Sequence, residues 1–152
     1  MRDAMVAALT LDIFNSHCDR VVMANIAQMV NVLQAVILTD GAKMICTPTY
    51  HVFDLYKAHH DANYLPSAIT CGECSGVKQL TATASEKEGV ITLTATNTSC
   101  TDALDVVVHL SGASAKNVNA RILTGDMHDK NTFEDAEKVT VKPFDAVRVT
   151  ET

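Results

Sequence analysis

Paired carboxylates do general acid and base chemistry only when two acidic side chains converge, and in this chain the acids are unevenly placed. All six glutamates, Glu73, Glu86, Glu88, Glu134, Glu137 and Glu151, lie in residues 63–152. Residues 1–62 hold Asp3, Asp12, Asp19, Asp40, Asp54 and Asp61 instead. These aspartates fall at helix starts, in turns or on polar helix faces, the settings of capping or solvated carboxylates. No residue is assigned a catalytic role.

Thiols and imidazoles offer little more. Cys71-Gly72-Glu73-Cys74 has the spacing of a redox pair or of half a zinc site. Structural zinc takes four ligands and no second Cys-x-x-Cys occurs, so the sequence predicts no metal and no cofactor. Inert linker thiols are the first reading of the pair and a reversible disulfide the second. His17, His51, His59 and His60 lie on or beside helical stretches with no partner at metal-ligand spacing. Asn97-Thr98-Ser99 has the form of a glycosylation sequon, but beside reduced thiols it reads as a β-turn.

The elements that position these residues change period partway along the chain. Ala4–Phe14 is apolar around most of a helix, with Asp3 at the N-cap. Val21–Ala27 is short, β-branched and apolar, and predicts a strand buried on both faces that ends at Gln28. Thr47-Pro48 opens a second helix running to about His60. From Pro66 onward the period is two. Ile91, Leu93 and Ala95 alternate with threonines, Leu104 to Leu110 alternates again, and so does Val118 to Ile122, predicting half-buried strands of an antiparallel β-sandwich. Residues 63 to about 76 read as a linker or irregular first strand, and Asp126 to Glu137 as a solvated loop.

With 152 residues and 47% hydrophobic content the chain can bury a core. Its net charge of −6 argues against nucleic acid as a partner. Five cysteines cannot all pair within one chain, which fits reduced thiols in a cytoplasm. No export signal is seen, and the longest nearly apolar run, Met29 to Leu38, is too short for a membrane span.

Two long stretches carry a family resemblance. The run Arg20-Val21-Val22-Met23-Ala24-Asn25-Ile26-Ala27-Gln28-Met29-Val30-Asn31-Val32-Leu33-Gln34-Ala35 resembles the last barrel strand of glycoside hydrolase family 51 α-L-arabinofuranosidases. Thr47-Pro48-Thr49-Tyr50-His51-Val52-Phe53 is similar to the start of that barrel's final helix, and Arg121-Ile122-Leu123-Thr124 and Asn131-Thr132-Phe133 to its sandwich lobe. The resemblance implies an α+β, multi-lobe fold: residues 1–62 as the last βα unit of a (β/α)8 TIM barrel, then residues 63–152 as an antiparallel β-sandwich, truncated at its end.

It also implies a site. Barrel enzymes place their chemistry at the C-terminal ends of the strands, and the family's glutamine in the matching Ala-Gln position lines the sugar site. Gln28 is therefore expected to bind substrate through an arabinofuranosyl hydroxyl, with Asn25 and Asn31 flanking it. The family's two catalytic glutamates would stand on earlier barrel strands, so this chain carries a wall of an active site without its catalytic pair. The implied partners are arabinose-containing oligosaccharides in the parent enzyme, the missing barrel segment, and further copies of the chain in a homo-oligomer. The alternative is a non-catalytic β-sandwich module that binds carbohydrate or a partner protein. Aromatic platforms would serve that role, and residues 63–152 offer only Tyr64, Phe133 and Phe144.

Overall fold

The computed structural model describes residues 1–150. Helix α1 (Arg2–Ser16) packs on helix α2 (Pro48–Tyr56). The buried positions of α1 are Ala4, Ala8, Leu11 and Asp12, one stripe of a 3.6-residue repeat. Two alanines on that stripe let α2 approach closely, and Val52 and Tyr56 complete the core with Leu11. The N-cap of α1 is Met1 rather than Asp3, which stands in the first turn against the positive end of the helix. Helix α2 begins where the sequence places it, with Thr47 extended and Pro48 at the first helical position. A 3-10 turn, Lys57–His59, ends the run.

The strand expected at Val21–Ala27 does not form: those residues are irregular, with Val22 91% and Met23 72% exposed. A strand needs a ladder partner, and among the described residues none runs beside this stretch. The chain instead makes one parallel bridge, Val30 to Ile37, and enters an antiparallel hairpin, β1 (Ile37–Asp40) and β2 (Lys43–Cys46). Sequence periodicity missed this hairpin.

The remaining strands are β3 (Asn63–Leu65), β4 (Glu73–Cys74), β5 (Val77–Lys78), β6 (Leu80–Lys87), β7 (Val90–Asn97), β8 (Arg121–Ile122) and β9 (Lys142–Pro143). All pairings between named strands are antiparallel, with one three-stranded sheet ordered β3-β6-β7 and three two-stranded ribbons. Glu88 and Gly89 join β6 to β7, both at positive φ, as a two-residue turn matched to strand twist requires. The strand expected at Leu104–Leu110 is irregular instead, with Val107 78% exposed, and Val118–Ile122 contracts to β8. Among the described residues, then, no second sheet of comparable size faces β3-β6-β7. Alternation marks which side chains share a face, but a strand also requires an edge to pair with.

The sheet turns its hydroxyl face, rather than its apolar face, inward. Thr83 pairs with Thr94, Ser85 with Thr92 and Thr81 with Thr96, so hydroxyls stand opposite hydroxyls on one face. Thr83 and Ser85 are buried on that face, toward the helices, whereas Ile91 and Leu93 are exposed. The helix–sheet interface is polar.

The tract Asp126 to Glu137 is more than a solvated loop. Asn131, 4% exposed, donates through Nδ2 to the carbonyls of Cys46 at 2.8 Å and Val139 at 2.9 Å, and its Oδ1 accepts from the Val139 amide at 2.8 Å. One amide side chain thus staples this loop to the end of β2.

Candidate functional site

Gln28 follows Ala27 in the irregular stretch, exposed and with φ at 65°. Left-handed backbone is uncommon outside glycine, and here Gln28, Asn31 (φ 55°) and Gln34 (φ 60°) adopt it within seven residues. Held in such conformations by their surroundings, residues of this kind gather at ligand sites. Asn31 is bound at both ends of its amide: Nδ2 donates to Thr39 Oγ1 at 2.8 Å, and Oδ1 accepts from the Thr39 amide at 2.7 Å. Met29 and Asn31 add backbone bonds to Ile37, at 3.1 and 3.2 Å.

Of the three polar residues named from the sequence, Asn25 goes elsewhere. It lines an open cleft of about 220 Å³ between α1, α2 and residues 24–27, walled by Val6, Leu11, Phe14, Ile26 and Phe53. Gln28 is not part of that cleft. The cleft walls are largely apolar, and Val22, Met23 and Leu33 in the neighbouring sequence are exposed.

The aspartates separate into distinct settings. Asp54 pairs with Lys57 at 2.9 Å and lies 3.8 Å from Arg121. The Lys57 hydrogen bond holds its carboxyl below the usual range, partly against desolvation. Asp12 departs from the sequence reading: it is buried, with 7% exposure. Its Oδ1 accepts from Tyr56 Oη and from Thr83 Oγ1, both at 2.7 Å, and its Oδ2 from Thr81 Oγ1 at 2.6 Å. Three hydroxyl donors compensate the buried carboxylate. Burial, then the Asp12 charge, pushes the Tyr56 phenol well above its ordinary value, so it stays a donor.

His59 extends the same interface. Its Nδ1 lies 2.7 Å from Ser85 Oγ and its Nε2 3.1 Å from Thr94 Oγ1. Burial lowers its pKa, opposed by the Asp12 charge, so the neutral ring is favoured. Sequence reasoning missed this cluster. Its signal was there in an acid on the inner stripe of α1 and in hydroxyls at every second position of β6 and β7.

The cysteine pair lies at a hairpin. Cys74 pairs with Val77 and Glu73 with Lys78, and the Gly72 carbonyl accepts from the Gln79 amide at 2.9 Å, so the hairpin extends back toward Cys71. Cys74 is exposed, and the Cys71 Sγ lies 3.7 Å from the Leu80 carbonyl oxygen. All five cysteines are free thiols, and no cluster of three metal-ligating side chains occurs among the described residues. At the sequon, Asn97 ends β7 and its Oδ1 accepts from the Ser99 amide at 2.9 Å, a side-chain Asx-turn in place of the β-turn expected there.

A three-stranded antiparallel sheet thus meets a helix pair across a hydroxyl-lined interface, and comparison with known proteins gives the arrangement a family. The chain belongs to the family described as the alpha-L-arabinofuranosidase C-terminal domain, which matches residues 1–152. It is similar to an intracellular exo-alpha-L-arabinofuranosidase of Bacteroides ovatus, with 44% identity over 156 residues, covering 98% of this chain and 30% of that protein. Among solved structures, the family 51 arabinofuranosidase of Xanthomonas axonopodis pv. citri matches with a TM-score of 0.88 and 42% identity, over 97% of this chain and 31% of that one. A family 51 alpha-L-arabinofuranosidase from Bifidobacterium longum matches with a TM-score of 0.75 and 26% identity, over 95% of this chain and 31% of that one. The chain thus resembles the C-terminal portion of family 51 enzymes and spans less than a third of their length.

Proposed function

We propose that this chain is the C-terminal part of a retaining α-L-arabinofuranosidase that removes terminal arabinofuranosyl groups from arabinan or arabinoxylan in the cytoplasm, and that it has no hydrolytic activity alone. In this reading residues 1–62 close the catalytic barrel, whose adjacent strand would give residues 21–27 the ladder partner they do not have within this chain, and residues 63–152 form the antiparallel β lobe behind it. The observation that carries it is the 44% identity, over 98% of the chain, to a protein named as an intracellular exo-alpha-L-arabinofuranosidase. The sequence adds the negative half: residues 1–62 contain no glutamate, while a retaining glycosidase needs two carboxyl groups about 5 Å apart. The exposed apolar stretch around Val22 and Leu33 supports a partner covering it, and the missing barrel segment is that partner.

Gln28 is the residue that meets the sugar. An amide donates and accepts, as a sugar hydroxyl does. Its left-handed backbone and exposed side chain, on a segment pinned by Asn31, support that role. In an enzyme carrying this segment with the rest of the barrel, Gln28→Ala should lower kcat/KM by about 1 kcal/mol in transition-state binding, and more if the bond strengthens in the transition state. An unchanged kcat/KM at unchanged Tm would show Gln28 to be a rim residue only.

A further inference from the structure

We propose that Asn31 is a positioning residue for Gln28, acting through Thr39 rather than on substrate. The proposal rests on the reading of Gln28 as the sugar contact. Residues 28–34 have no ladder on either side beyond the single Val30–Ile37 bridge, yet three of them hold left-handed backbone. Something must fix that backbone, because an exposed loop of seven residues samples many conformations.

Asn31 is the side chain in the loop that reaches out of it. Its two amide bonds to Thr39, at 2.7 and 2.8 Å, tie the loop to β1, which is itself held in four-residue register by β2. Each end of the asparagine amide meets a group of the matching kind: its carbonyl oxygen takes the backbone N–H, and its NH2 gives to the hydroxyl. Asn tolerates left-handed φ better than most residues, so the same side chain suits the turn and locks it. Gln28 lies three residues before this clasp, with Met29 bonded to Ile37 between them. Loosening the clasp leaves the Gln28 amide in place chemically but spreads its direction, and a hydrogen bond weakens steeply off its axis.

Two variants separate the side chain from the backbone. Asn31→Gly keeps the left-handed φ and removes both bonds to Thr39. Asn31→Asp keeps an acceptor for the Thr39 amide, and its second oxygen can accept from the Thr39 hydroxyl, so it serves as the conservative rescue. Steady-state kinetics on a full-length enzyme carrying this segment, with an aryl α-L-arabinofuranoside as substrate, would compare these with Gln28→Ala and with the Gln28→Ala, Asn31→Gly double variant.

The expected result is a roughly three- to tenfold fall in kcat/KM for Asn31→Gly, the scale of one lost neutral hydrogen bond. Asn31→Asp should recover most of it, and the double variant should be no worse than Gln28→Ala alone. Wild-type kinetics in Asn31→Gly alongside a damaged Gln28→Ala would overturn the positioning role and leave the Gln28 reading standing. Losses that multiply in the double variant would also overturn it, because Asn31 would then act independently of Gln28. A Gln28→Ala enzyme with full activity would remove the reading itself and the proposal with it. Should Asn31→Gly fail to fold, Thr39→Val, which deletes one of the two bonds, replaces it under the same expectations at a smaller amplitude.

Discussion

Two regions of this molecule, only a few residues apart in sequence, have settled their polar and apolar groups in opposite ways. At the interface of α1 with β6, both carboxylate oxygens of buried Asp12 are met by hydroxyls at 2.6 to 2.7 Å. In residues 21–33, by contrast, Val22 is 91% and Leu33 92% exposed, and neither ladder nor core receives them. The first region buries its polar groups against matching partners, whereas the second, apart from its bonds to Thr39 and Ile37, leaves large apolar side chains exposed.

The contrast can be broken at its strong end first. Asp12→Ala strands three hydroxyls that donate to one buried carboxylate, and should cost about 2–4 kcal/mol in urea unfolding. A loss under about 0.5 kcal/mol, the range of ordinary surface changes, would mean that the hydroxyls find other partners and that the interface is not organised by Asp12. Asn131→Ala comes next. It leaves the Cys46 and Val139 carbonyls and the Val139 amide unpaired, at about 1–3 kcal/mol, and its effect should add to that of Asp12→Ala because the two share no hydrogen-bond partner.

A smaller effect concerns pH. Burial lowers the His59 pKa, so the folded chain binds this proton less readily than the unfolded chain does. The contribution is fully present above the ordinary histidine value, about 6.5, and is lost as pH falls below it. His51, lowered by burial against the opposing charge of Asp54, acts in the same direction. The midpoint of urea unfolding should therefore decline from pH 7 to pH 5, and less steeply in His59→Gln. Parallel slopes for the two proteins would place the pH dependence elsewhere.

At the weak end, Val22→Ser and Leu33→Ser should change stability by less than about 0.5 kcal/mol, because neither side chain is buried. They should reduce association between copies, if the apolar stretch is what makes copies associate. Hydrogen exchange sharpens the same point: amides of residues 21–33 should exchange faster than those of β6 and β7, and the reverse order in a monodisperse monomer would erase the contrast between the two regions.

The sequence made legible those features that local chemistry determines. Thr47-Pro48 starts a helix because a proline at the first helical position needs no N–H partner, and α2 begins there. The turn at Asn97 and the strand around Leu93 follow from equally local rules. Val21–Ala27 and Leu104–Leu110 were misread because alternation and β-branching describe a strand's faces, whereas its existence depends on a neighbour elsewhere in the polypeptide. The inward sense of the β6–β7 hydroxyls was not legible for a related reason: alternation separates two faces without saying which is buried, and the groups these hydroxyls meet, Asp12 and His59, lie far off in sequence. Gln28 is named only through resemblance to a family, while its left-handed backbone and the Asn31 bonds to Thr39 are visible only in the folded chain. The buried role of Asp12 came from structure alone.

The central claim is that this chain supplies one side of an arabinofuranosidase site and none of its catalytic carboxyls. Its most direct test is hydrolysis of an aryl α-L-arabinofuranoside by the chain alone and by a polypeptide that joins it to the preceding barrel. The account predicts no turnover above background for the chain alone and turnover for the joined protein. Turnover by the chain alone that disappears on replacing a single aspartate among residues 1–61 would contradict it.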